Sequence, residues 1–194
     1  MIQEVSYIKM GTLDAEPMNF SAQTTSHLDC KLVRWTLTQA QPNQIRPLNP
    51  TKEELETLCR FGKAFADSAN AGEFEEKPFL TFIDNMIKSK KGQVYMLEKD
   101  GKIVGTLGVY AYRVFYNSKL RVQEIFWWVD PEYRNSKDSV KLFNIVDEWA
   151  KKVDADEIMV SSTTTMKVDE LERFYTKKGF RRMDITYIRS LKNG

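Results

Sequence analysis

The chain has 194 residues, 42% hydrophobic and 29% charged, which fits one domain of ordinary size with a proper core. Twenty-nine Lys and Arg against 27 Asp and Glu leave a net charge of +2, so there is no general pull towards nucleic acid or anionic lipid. Two cysteines and a single histidine argue against a disulfide framework, a histidine-rich metal site and a histidine-based triad.

Met1–Met10 carries Glu4 and Lys9 without a sustained apolar run, so no signal peptide is expected there. No stretch approaches the length of a membrane span, and a soluble, cytoplasmic protein with no membrane partner is expected. Residues 1–30 read as an N-terminal extension, with one short strand at Val5–Met10, and residues 31–194 as the domain proper. Strands are predicted at Leu32–Leu37 and around Ile45-Arg46-Pro47.

Thr51-Lys-Glu-Glu54 has the capping-box pattern, in which Thr and Glu side chains serve each other's backbone N–H groups. It opens a helix carrying Leu55, Leu58, Cys59 and Phe65, in which Cys59 reads as a buried thiol. After an acidic linker (Glu73, Glu75, Glu76) a second helix follows Pro78 and stops at Gly92. Val94–Leu97 and Ile103–Tyr112 are rich in strand formers, and Asp100-Gly101 between them is a hairpin signal. Arg121–Val129 is a third strand, closed by Asp130-Pro131. A helix from about Ser136 to Val153, a strand at Ile158–Thr163 and a helix at Val168–Lys178 ended by Gly179 come next. A last strand alternates Met183, Ile185, Tyr187 and Leu191. This order predicts a mixed α/β sheet with helices on both faces.

The segment from Val122 to Ser139 holds the most chemistry. A buried strand ends at a proline turn and a short polar loop opens into an amphipathic helix, whose free N–H groups suit a phosphate or pyrophosphate. Arg134 and Lys137 add positive charge there. An ordinary strand-to-helix connection is the plainer reading, and no Walker or dinucleotide glycine fingerprint is present.

Val129-Asp-Pro-Glu-Tyr-Arg134, with Phe174-Tyr-Thr-Lys-Lys-Gly-Phe180 about forty residues on, resembles the GNAT superfamily of N-acetyltransferases. In that family a strand ending Val-x-Pro-x-Tyr-Arg leads into a Gln/Arg-x-x-Gly-x-Gly loop, and a later helix ends Phe-Tyr-x-x-x-Gly-Phe. The order of elements from Thr51 to Leu191 follows the same scheme. The resemblance implies an α/β (α+β) GNAT fold, mostly antiparallel, that binds acetyl-CoA and acetylates a primary amine on a small molecule, a protein lysine or an N-terminus.

By the same resemblance Arg134, Asn135, Ser136, Lys137, Asp138 and Ser139 form the coenzyme A pyrophosphate loop, with Lys137 and Ser139 where the family has glycine. Backbone around Trp127, Trp128 and Val129 pairs with the pantetheine arm, although both indoles also suit the core. Glu124, ten residues before Arg134, matches the family's general base, and Tyr175 matches the tyrosine that protonates the thiolate. A salt-bridge role for Glu124 and a packing role for Tyr175 stay open. The replaced glycines, and the absence of an asparagine in Ser161–Thr165, keep a second reading: a catalytically degenerate module with a binding or structural role. Residues 171–194 carry seven Lys and Arg against two acids, but without interleaved stacking aromatics, which argues against nucleic acid. A monomer or homodimer is expected.

Overall fold

The computed structural model describes residues 22–23, 34–35, 43–165, 167–189 and 191. The chain divides into two units, Met1–Ala40 and Gln41–Gly194. In the first, β1 (Ala22–Gln23) and β2 (Arg34–Trp35) pair antiparallel. The expected Val5–Met10 strand, the flanks of the Leu32–Leu37 strand and most of the 1–30 extension lie outside the described residues.

The second unit is built on a five-stranded sheet: β3 (Gln44–Pro47), β4 (Gly92–Lys99), β5 (Lys102–Arg113), β6 (Leu120–Val129) and β7 (Glu157–Met159), in that spatial order. All pairs are antiparallel except β6 with β7. Asp100 (φ 50°) and Gly101 (φ 73°) turn β4 into β5 with the two left-handed residues that a tight hairpin needs.

Helices α1 (Lys52–Ala69) and α2 (Glu76–Lys88) cover one face of the sheet, around Leu58, Phe61, Ile83, Met86, Val94, Met96 and Trp128. Helix α3 (Lys137–Lys152) covers the other, with Leu142, Ile145, Val146 and Trp149 against Leu107, Val109 and Val122. Helix α4 (Val168–Lys177) is closed at Gly179 (φ 87°), where the Phe180 N–H bonds back to the Tyr175 carbonyl (3.0 Å). Among the described residues no helix is long and apolar enough to cross a membrane.

Local expectations are corrected at four places. Thr51 caps α1 by accepting from the Glu54 N–H (3.3 Å), but the reciprocal arm of the capping box is not made. The Glu54 carboxylate takes the Asn49 N–H (2.9 Å) and Arg46 (2.8 Å) instead, because a buried carboxylate is better served by a cation than by one more amide. Gly92 does not stop α2. Lys90 (φ 58°) makes that turn, and Gly92 opens β4 where a Cβ would meet Met86 Cγ at 2.4 Å and the Val109 carbonyl at 2.5 Å. Strand β7 ends at Met159 rather than Thr163, because Ser161 gives both its backbone groups to side chains.

The fourth correction concerns Met183–Leu191. Its described residues form no strand, and Met183, Ile185, Tyr187, Ile188 and Leu191 are exposed. Alternation marks a strand only where an edge receives it, and Ile188 beside Tyr187 breaks the apolar-in, polar-out rhythm that would fix a register.

Candidate active site

Strand β6 is paired with β7 only at Arg121–Gln123, opposite Glu157–Met159. Beyond that the two strands part, and the candidate site lies where they part. A bulge at Ile125, seen as a register shift against Gly108 and Val109 of β5, lets Ile125 and Phe126 both pack on the α1–α2 face. Glu124 and Trp127 are thereby both left on the α3 side, three residues apart.

Glu124 is 6% exposed and accepts from the Ser161 N–H at 3.4 Å. Burial pushes its carboxyl up to about 7, against an ordinary value of 4.5, and the Ser161 amide only partly offsets this. From α4, the Tyr175 hydroxyl donates to the Ser161 carbonyl at 3.1 Å. Its phenol is raised above the ordinary range, by burial first and by the negative charge of Glu124 second. The two predicted catalytic side chains are thus brought to the two backbone groups of a single residue. An aromatic layer backs them: Phe143 of α3 contacts Trp127 (5.0 Å), Phe174 (5.0 Å) and Tyr175 (5.7 Å), centroid to centroid.

The loop after β6 is tied down by its own side chains. The Arg134 guanidinium lies over the Trp128 ring (4.5 Å) and its Nε donates to the Val129 carbonyl (2.7 Å), so that carbonyl is already engaged. Trp128 Nε1 donates to Asp130 (3.2 Å), which Arg60 of α1 clamps through two hydrogen bonds (3.0 and 3.1 Å). Asn135 takes a left-handed conformation (φ 58°), a role glycine or asparagine fills most easily.

Ser136 is the N-cap of α3. Its Oγ accepts from the Ser139 N–H (3.1 Å), while the Ser139 hydroxyl donates to the Ser136 carbonyl (2.8 Å). The Asp138 carboxylate accepts from Asn43 (2.9 Å) and Lys141 (3.1 Å). The N–H groups of Lys137 and Asp138, in the first turn, have no partner among the described residues. Two free donors at a positive helix end, beside the Lys137 ammonium, fit a phosphate group, and the Asp138 carboxylate in the same turn weakens that fit.

Sequence reasoning missed Ser161 as the meeting point, because its role is carried by backbone groups that any residue has. It also missed the Arg60–Asp130 clamp, which joins residues seventy apart in the chain. Cys59 is buried as expected, and burial pushes its thiol up.

The chain belongs to the acetyltransferase (GNAT) family, whose model matches residues 56–180. No match was found among curated proteins. Solved structures share the fold at low identity. A transcriptional regulator from Bacillus halodurans is 18% identical with a TM-score of 0.63, covering 77% of this chain and 99% of its own. AAC(6')-Iy, in complex with the bisubstrate analogue CoA-S-monomethyl-acetylneamine, is 15% identical with a TM-score of 0.63, covering 79% and 100%. The aminoglycoside acetyltransferase meta-AAC0020, from an uncultured soil metagenomic sample and in complex with trehalose, is 16% identical with a TM-score of 0.59, covering 77% and 97%.

Proposed function

We propose that the protein transfers an acetyl group from acetyl-CoA to a primary amine. The observation that carries this reading is the convergence of Glu124 and Tyr175 on Ser161 at the parting of β6 and β7. Acetyl-CoA supplies the activated acyl carbon; the chain supplies the proton chemistry and the binding.

Glu124 takes the proton of the attacking amine, directly or through water. Its carboxyl, raised to about 7, is largely ionised just above neutral pH yet basic enough to hold the proton it gains. The C–N bond forms, the C–S bond breaks, and Tyr175 gives its hydroxyl proton to the departing sulfur. The two groups are coupled. While Glu124 is charged it holds the Tyr175 phenol up; once Glu124 has been protonated that field is gone and the phenol becomes the stronger acid. The free N–H groups of Lys137 and Asp138, with the Lys137 ammonium and the Asn135–Ser139 backbone, would hold the pyrophosphate. Backbone of Trp127, Trp128 and Val129 borders the pantetheine arm and, through its donors, the thioester oxygen. The exposed acids Glu73, Glu75 and Glu76, before and at the start of α2, favour a cationic acceptor, either a small polyamine-like molecule or a protein amine.

Asp138 and the absence of glycine favour a second reading, a module that keeps the fold without catalysis. Calorimetric titration with acetyl-CoA, followed by thiol-release assays across small amines and lysine peptides, decides between them. Heat of binding and amine-dependent thiol release support the transferase; silence in both supports the module.

A further inference from the structure

The two edges of the five-stranded sheet are closed to different degrees. At β3 the edge carries Pro47, which has no N–H to offer a further strand. At the other edge β7 holds no proline or lysine, and its single charge, Glu157, is spent on Arg121 (3.1 Å). Among the described residues nothing pairs with the outer side of β7. Near its start the Phe115–Tyr116 ring pair of the β5–β6 turn is exposed, and the Tyr116 hydroxyl meets the same Arg121 (3.5 Å). Helix α4, which follows β7, buries none of its residues, unlike α1, α2 and α3.

The chain also carries a strand-like segment with no place in the sheet. Of nine large hydrophobic side chains exposed among the described residues, five are Met183, Ile185, Tyr187, Ile188 and Leu191. Met183, Ile185 and Tyr187 alternate along one side of an extended chain, the pattern of a strand with one face covered. Exposed apolar side chains gathered this closely mark a surface that meets a partner. Their own chain does not pair them with β7. Gly179 (φ 87°) turns the backbone off α4, and Arg182 is held by Glu172 of α4 (2.7 Å). Charge suits a meeting of segment and edge. Arg181, Arg182 and Arg189 stand on the segment against the one acid Asp184, and the exposed Asp154 and Asp156 lead into β7.

We infer that the chain forms a homodimer in which residues 181–189 of each copy add as a strand to the open edge of β7 in the other. One copy has an unfilled edge and an unplaced strand. Two copies that exchange them fill both, and a twofold axis closes the assembly without leaving a further edge to recruit a third. Main-chain hydrogen bonds supply the pairing, and the alternating side chains supply the covered face. The dimer does not depend on the transferase reading.

Sedimentation velocity on the full chain over a range of concentrations is expected to show a species of twice 22.6 kDa. Ile185→Pro, which removes an N–H from the added strand, should weaken the dimer about tenfold or more. Tyr187→Asp should weaken it as well, by bringing a carboxylate towards the acids that lead into β7. Both side chains are exposed in the single chain (66% and 88%), so neither change should unfold it, which circular dichroism checks. Phe82→Asp, at an exposed apolar residue of α2, should leave the mass unchanged. In hydrogen exchange the amides of Glu157–Met159 and of residues 182–189 should be slower in the wild-type dimer than in Ile185→Pro. A chain that stays monomeric overturns the inference, and so does a dimer that survives both substitutions. A dimer lost on substitution, but whose β7 amides exchange as fast as those of the variant, is held by another face and overturns it too.

Discussion

The surroundings of Ser161 and the start of α3 are both polar sites at the end of a strand, and they are finished differently. Around Ser161, a buried carboxylate and a phenol are each held by one hydrogen bond, of 3.4 and 3.1 Å, and among the described residues no cation pairs with the carboxylate. At the start of α3, Ser136, Ser139, Asp138, Asn43 and Lys141 satisfy one another, leaving two backbone donors. A group kept buried and underserved is poised for proton transfer, whereas a group already served is poised for little more than holding its helix. The contrast puts the proposed proton chemistry at Ser161 and makes the proposed anion site the weaker half.

The sharpest way to break the comparison is Glu124→Gln. Turnover is expected to fall about 100-fold to 10,000-fold with acetyl-CoA affinity unchanged, and the rise of kcat/KM with pH, centred near 7 in the wild type, should vanish. Equal turnover would remove Glu124 from the reaction. Tyr175→Phe comes next, with a fall of about tenfold to 100-fold at unchanged coenzyme A affinity, read in a thiol-release assay.

Stability offers a test without substrate. Since the folded carboxyl of Glu124 titrates near 7 and the unfolded one near 4.5, the folded state keeps this proton longer. Its contribution is full below about pH 4.5 and is lost as pH rises through 7, by at most about 3 kcal/mol. Urea titrations across that range should show the decline in wild type and a flatter profile in Glu124→Gln. The smallest effect is expected at the other site. Asp138→Asn removes an anion from the first turn of α3 and should tighten coenzyme A binding by about 1 kcal/mol at low salt, less as salt rises. Loss of affinity there would mean that Asp138 assists the ligand rather than opposing it.

Much of the fold was legible because local chemistry decides it. Thr51 and Ser136 cap helices through their hydroxyls, and Asp100-Gly101 and Gly179 supply the left-handed backbone that turns the hairpin and closes α4. Glu124 and Tyr175 are named as candidates through resemblance, and in the structure each hydrogen-bonds to Ser161. What escaped depended on distant partners or on backbone alone: Arg46 captures Glu54, Arg60 reaches Asp130, and Ser161 acts through N–H and C=O. The Met183–Leu191 pattern misled for the opposite reason, since periodicity describes a surface and says nothing of what meets it.

Within the five-stranded sheet the β6–β7 ladder, three residues on each strand, is the shortest. Cooperative protection from solvent therefore ends at that seam. The amides of Glu157–Met159 should exchange with deuterium well before those of β5, which is paired on both sides. That outer seam, rather than the middle of the sheet, is where opening is expected first.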